Sequence, residues 1–239
     1  MVHHNYSIAT FERCLGFALK VHRDIQNSMS ASIDNSTTVQ FIAETKLPTI
    51  NGELVVKAYR NNKTGHEPLA ICSRFLSTQR KTPIVRIHSA CFTSEVLGSL
   101  RCDCAQQLEH AIALIHQEPG VVIYLPQEGR GIGIANKIAA YSLQEKGLDT
   151  VDANRALHLP DDSRSYEDAI SILQDLQLNT IRLITNNPNK VEALNQAGIN
   201  IVEQICVDLS ISEQAMDYLN TKIERMGHMP THRSTYEDS

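Results

Sequence analysis

The sequence predicts an α/β chain with α+β character. A β-rich first half is followed by alternating strands and helices, in one domain behind an N-terminal helical extension. Three observations carry this. Short apolar runs broken by turn formers fill residues 39–88. From Leu108 onward, apolar residues recur at helical spacing between short apolar strands. The chain has 239 residues, 42% hydrophobic and 21% charged, enough to bury a core of that size.

The elements follow in order. Ile8, Phe11, Leu15, Phe17, Leu19, Val21 and Ile25 alternate with polar residues and suggest an amphipathic helix within residues 1–29. The run SMSASIDNSTT, residues 28–38, reads as a polar linker, which places a domain boundary near residue 38. Strands are expected at Val39–Thr45, Leu54–Tyr59, Leu69–Phe75 and Ile84–His88, separated by Pro48, Asn51-Gly52, Gly65 and Pro83. Leu108, Ala111, Ile112 and Ile115 mark a helix that Pro119-Gly120 stops. Val121–Leu125 reads as a buried strand. Helices are expected from Gly133 to Lys146, ended by Gly147, and from Tyr166 to Leu176. Ile181–Thr185 is another strand, and Pro188 starts a helix that Gly198 ends. Ile199, Ile201 and Val202 suggest a last strand, and Glu213–Met226 a charged amphipathic helix. The alternation predicts α/β layering in this half. Residues 39–229 then form the main domain, and residues 230–239 a frayed tail.

The net charge of −5 and a pI near 6.0 argue against a general nucleic-acid binder. An anionic substrate must be held by local Arg and Lys. The sequence has no apolar run of transmembrane length, and its first residues lack an uninterrupted signal-peptide core. A cytoplasmic protein without a membrane partner is expected.

Of six cysteines, three cluster as C-x10-C-x-C: Cys91, Cys102 and Cys104. Clustered thiolates suit zinc in a reducing compartment better than a disulfide frame. A structural zinc site usually closes with four protein ligands, whereas a catalytic one keeps three and leaves a place for water. No fourth Cys stands nearby, which favours three ligands plus water. The competing reading is a set of buried core cysteines. His88, three residues before Cys91, is either a fourth ligand, a substrate contact or a hydrogen-bonded strand histidine.

Three more stretches suit nucleotide chemistry. QEGRGIG, Gln127–Gly133, places glycines after a strand and before a helix, where the backbone approaches a phosphate or base closely. Arg130 and Lys137 tilt it towards phosphate, although a tight turn reads equally well from glycines alone. LPDDSRSY carries Asp162 two residues before Arg164, the pattern of a surface salt bridge as well as of a site. TNNPNK, Thr185–Lys190, lies at the C-terminal end of a strand, where α/β ligands collect, but also fits a turn that starts a helix. Tyr141 lies on a helix, and its hydroxyl reaches a site only if that face points inward. Together these pieces suggest hydrolysis of a phosphorylated purine.

On VRIHSAC, GSLRCDC, QEGRGIG, NKIAAY, LDTVDAN, TNNPNK and KIERMGH, in that order, the sequence resembles GTP cyclohydrolase II, the first committed enzyme of riboflavin synthesis. The resemblance runs from about Ala43 to Met229. It implies a homodimer with one zinc ion per subunit on Cys91, Cys102 and Cys104, and magnesium on the triphosphate. Zinc-bound water would attack C8 of guanine and open the imidazole ring, releasing formate. Arg164 would be the nucleophile at the α-phosphate, with Asp162 as proton acceptor and pyrophosphate leaving. Tyr141 would help complete the second hydrolysis. GTP would be held by Arg86, Ile87, His88, Ser89, Ala90, Gln107, Glu128, Gly129, Arg130, Thr150, Thr185 and Lys190, with Glu128 reading the guanine N1–H and 2-amino edge.

The chain also departs from the resemblance. Ala90 replaces a usual Glu, Ser94 and His158 replace glycines, and Ser165 replaces an Asp. QICVDL stands where a Pro-containing RVPL is usual. The N-terminal extension is too short for the dihydroxybutanone phosphate synthase domain that sometimes precedes this enzyme. Ala90 motivates an alternative, a variant that stops at the formamide or takes another purine nucleotide. The N-terminal extension motivates another, a regulatory protein that keeps zinc and nucleotide binding without turnover.

Overall fold

The computed structural model describes residues 38–76 and 81–207. The helices expected within residues 1–29 and at Glu213–Met226, the linker up to residue 37, the tail from Pro230 and the KIERMGH motif lie outside the described residues.

Among the described residues, seven strands form one mixed sheet. The first two, β1 (Val39–Thr49) and β2 (Gly52–Asn61), make an antiparallel hairpin that pairs Thr49 with Gly52. Gly52 closes this turn at φ +123°, a conformation that suits glycine. Next come β3 (Leu69–Cys72), β4 (Ile84–Ser89), β5 (Gly120–Leu125), β6 (Thr180–Ile184) and β7 (Asn200–Ile205). The spatial order is β1-β2-β3-β5-β4-β6-β7. Neighbours from β1 to β5 run antiparallel, whereas β5, β4, β6 and β7 run parallel. The β-rich half and the α/β half therefore share one sheet, joined at β5. The third strand stops at Cys72, short of the expected Phe75, because the Ser73 hydroxyl accepts from the Phe75 N–H and turns the chain.

Six α-helices lie among the described residues: α1 (Phe92–Glu95), α2 (Cys104–Gln117), α3 (Ile134–Gln144), α4 (Thr150–Ala156), α5 (Glu167–Asp175) and α6 (Pro188–Gln196). Local chemistry explains two of the starts. The Asp149 side chain caps α4 by accepting from the Val151 and Asp152 N–H groups. Asn187 caps α6 in the same way, with Pro188 in its first turn. The short helices α1 and α4 were not among the expected elements.

The core forms on both faces of the parallel strands. Ala169, Ile172 and Leu173 of α5 pack with Val85, Ile87, Val121 and Ile123 on one face. Ala111 and Ile115 of α2 pack with Ile84 and Val122 on the other. Both strands are buried nearly throughout, which is why they read as continuous apolar runs. Side chains alternate along a strand, so Arg86 and His88 share the α2 face with Ile84. That places two buried polar groups near the C-terminal end of β4, beside the loop that carries Cys91.

Candidate active site

The loops after β4, β5 and β6 converge on one cleft at the C-terminal ends of the parallel strands. Such ends are where α/β sheets gather ligands. The β4 loop brings Ser89, Ala90 and Cys91; the β5 loop brings Gln127 to Arg130; the β6 loop brings Thr185 to Asn187. The start of α2 adds Cys104 and Gln107, and α3 adds Lys137 and Tyr141.

The three thiols meet although ten residues separate the first two. All three Sγ atoms lie within 4.8 Å of one another, and Cys91 and Cys102 are 3.6 Å apart. Three sulfurs on a tetrahedral zinc at ~2.3 Å would sit about 3.8 Å apart. The cluster therefore fits zinc in size and donor type, and its free thiols form no disulfide. Cys91 is buried, while Cys102 and Cys104 are half-buried and line the cleft. Hydrogen bonds from Cys102 and Cys104, then the Lys137 ammonium, hold the Cys91 thiol far below its ordinary pKa. That favours the thiolate, the form that binds metal.

A buried polar chain ties the thiol-bearing segments together. Glu95 accepts from the Cys91 N–H at 2.8 Å, from Tyr124 Oη at 2.7 Å, and from His88 Nε2. Arg86 Nε donates to His88 Nδ1 at 3.3 Å, and another Arg86 nitrogen donates to Gln107 Oε1. Gln107 Nε2 donates to Asp103, which lies between Cys102 and Cys104. Burial pushes the Arg86 guanidinium down to about 10, against the pull of Cys104, Asp103 and Glu95. Ser94 accepts from the Ala105 N–H at 3.0 Å and adds a tie between α1 and α2.

Most of the expected site residues line this cleft: Arg86, His88, Ser89, Ala90, Gln107, Glu128, Gly129, Arg130, Tyr141, Arg164, Thr185 and Lys190. Three others remain. The Ile87 side chain is fully buried, and its carbonyl accepts from Lys190 Nζ at 2.7 Å. Thr150 begins α4, and its side chain lies outside the described part of the structure. Asp162 stands behind Arg164, accepting from its Nε at 2.9 and 3.1 Å and from a terminal guanidinium nitrogen. Burial raises the Asp162 carboxyl, but the Arg164 hydrogen bonds and charge outweigh this and hold it below its ordinary pKa.

Two groups make protein contacts that the sequence did not announce. Lys137 contacts Cys91 Sγ at 3.1 Å, Thr93 Oγ1 at 2.9 Å and Glu128 Oε1 at 2.7 Å, so its ammonium is engaged by protein groups around the thiol cluster. Glu128 also accepts from the Phe92 and Gly129 N–H groups. A carboxylate offers about four lone-pair sites, and three donors already occupy Glu128. Sequence reasoning gave no part to Glu95, Asp103 or Gln127. Glu95 follows Cys91 by one helical turn, a spacing that signals a possible contact, whereas nothing local reveals its bonds to His88 and Tyr124.

Comparison with known proteins agrees with this geometry. The profile of the family described as GTP cyclohydrolase II matches residues 40–206. The chain belongs to the GTP cyclohydrolase II family. It is 43% identical over 192 residues to the GTP cyclohydrolase-2 of Acinetobacter baumannii (strain SDF), covering 80% of this chain and 96% of that one. Against the GTP cyclohydrolase-2 of Pasteurella multocida (strain Pm70) it is 42% identical over 195 residues, 81% of this chain and 89% of the relative. It also matches the riboflavin biosynthesis protein RibBA of Chlamydia trachomatis serovar D at 46% identity over 189 residues, 78% of this chain but 44% of that protein. The GTP cyclohydrolase II match spans the sheet and every loop of the cleft, and the thiol cluster is consistent with the family's zinc site.

Proposed function

We propose that the chain hydrolyses GTP, opening the imidazole ring and releasing formate and pyrophosphate, at the entry to riboflavin synthesis. The observation that carries the proposal is the meeting of a three-thiol cluster and an Asp-held arginine at one cleft. Cys91, Cys102 and Cys104 would hold zinc. When bound, zinc supplies Lewis acidity that makes hydroxide available near neutral pH.

The chain's own residues do the rest. Arg86, Arg130 and Lys190 place positive charge in the cleft for the triphosphate, with magnesium accompanying it. Arg164 faces the α-phosphate. A nitrogen–phosphorus bond forms there as the bond to pyrophosphate breaks, and the guanidinium proton passes to Asp162. Water then adds its oxygen to phosphorus as the nitrogen–phosphorus bond breaks, and Asp162 returns the proton to Arg164. The Asp162 grip orients the guanidinium and keeps the acceptor within hydrogen-bond reach. Tyr141 lines the cleft on α3 under the Arg101 guanidinium, 4.6 Å from its ring centre, and serves the second hydrolysis. Thr185 and Gln107 complete the substrate contacts, and Glu128 has one acceptor direction left for a guanine donor.

Two further expectations belong to the same reading. The working form is a homodimer, for which Phe92, Val96, Leu97 and Leu100 offer exposed apolar side chains beside the site. The compartment is the cytoplasm, where unpaired cysteines persist as thiols.

Purified protein incubated with GTP, zinc and magnesium tests this by product mass. Formate and pyrophosphate should appear together, and Arg164→Ala should lose turnover while keeping zinc. A product that retains the formyl group would instead support the variant that Ala90 suggests. Zinc and GTP binding without turnover would support the regulatory alternative.

A further inference from the structure

Gln127 has no assigned part in the reaction, yet it is built into the cleft. It lies two residues past the end of β5 and is only 8% exposed. Its Nε2 donates to the Ser165 carbonyl at 2.6 Å. A carbonyl only accepts, so this bond fixes which end of the amide faces the Ser165 loop. The other end, Oε1, is then committed to the opposite side. It is a buried acceptor that no donor among the described residues satisfies, in a residue that lines the cleft. Leaving such an acceptor unpaired is costly, which makes a donor from the substrate the natural partner.

We propose that Gln127 is a substrate-positioning residue whose Oε1 accepts a hydrogen bond from the nucleoside part of the substrate. The inference rests on a purine nucleoside triphosphate as substrate. Triphosphate oxygens act mainly as acceptors near neutral pH. The available donors are the purine N1–H and 2-amino group and the two ribose hydroxyls. Glu128, the neighbouring carboxylate, already accepts from Phe92, Gly129 and Lys137, so it leaves most of those donors unclaimed. Ser165 adjoins Arg164, so one side chain couples the nucleoside to the loop that carries the guanidinium. A correctly seated nucleoside is thereby held in register with Arg164.

The test is a binding cycle on the zinc-loaded full chain, wild type and Gln127→Met. Calorimetric titration without magnesium reads binding apart from turnover. The nucleotides are GTP, inosine triphosphate, 2-aminopurine riboside triphosphate, and the 2′-deoxy and 3′-deoxy forms of GTP. Gln127→Met should weaken GTP binding about tenfold. One analogue, the one that lacks the donor, should bind wild type about tenfold more weakly and Gln127→Met no differently from wild type. The other three should keep the full penalty of the variant. An equal loss with all five nucleotides would mean that Gln127 acts only through Ser165, and would overturn the proposal. So would wild-type protein that binds all four analogues as tightly as GTP, a result that does not depend on the variant folding. The expected pattern without formate release from GTP would overturn the proposed reaction and leave the Gln127 contact standing. Formate release with a flat pattern would do the reverse.

Discussion

The His88 ring stands 2.9 Å from Glu95 Oε1 through Nε2, with both side chains nearly enclosed. Arg86 donates to the other ring nitrogen, so Nδ1 is the acceptor and Nε2–H the donor of a neutral imidazole. Burial lowers the His88 pKa and agrees with that form. His88 is thereby part of the support under Cys91, and Glu95 is the group on which that support closes.

Replacing Glu95 with Gln puts an amide N–H₂ where one carboxylate oxygen accepts. Zinc affinity should fall by about 10–100-fold, because groups that orient metal ligands act on that scale. Competition with a chromophoric chelator measures it. Unchanged affinity in a folded variant would remove Glu95 from the support of the site.

Cys102→Ser removes one of three sulfurs that meet within 4.8 Å. The purified variant should carry far less than one zinc per chain and release neither formate nor pyrophosphate. Elemental analysis beside a product assay checks both. Full zinc occupancy in this variant would show that the metal sits elsewhere.

The Asp162–Arg164 pair predicts a pH dependence of stability. Its carboxyl titrates below the unfolded value of roughly 3.9. A group shifted down contributes stability above its unfolded pKa and loses it as pH falls through the folded one. Asp162→Asn should therefore cost about 1 kcal/mol near neutral pH, a few degrees in melting temperature. The gap to wild type should close as pH falls below roughly 4. Melting curves across that range test it, and a gap independent of pH would contradict the assignment.

Gly131 touches the loop that carries Asp162 and Arg164. A Cβ there would stand 2.6 Å from Ser163 Oγ and 3.1 Å from the Ser163 carbonyl, at φ +89°. Gly131→Ala should displace that loop and lower kcat about tenfold, a scale consistent with small misplacements of catalytic groups. Gly98→Ala is the control, because it also has positive φ, at +66°, but nothing within 4 Å of the added carbon. Equal kcat in the two variants would show that contact with Ser163 does not set the loop.

Much of the framework is legible along the chain. The runs at β4 and β5 are apolar because both of their faces are covered, and the spacing of Ala111 and Ile115 follows from one buried helix face. The short α1 escaped notice because four residues hold too little periodicity. Asp149 was a readable cap for α4, but few apolar positions follow it. At His158 φ is +56°, a left-handed conformation that the residue type does not announce.

The sequence by itself determined which three thiols belong to one motif, the order of the loops that carry them, and the family to which the chain belongs. These depend on residue type and spacing, which the chain displays directly. Only the tertiary structure decided that Cys91 and Cys102 meet, that Lys137 serves the thiol cluster, that Glu95 closes on His88 and Tyr124, and that Gln127 presents an acceptor to the cleft. The physical reason is the sheet order. Placing β4 between β5 and β6 brings distant loops side by side, and contacts set by that order leave no period in the sequence.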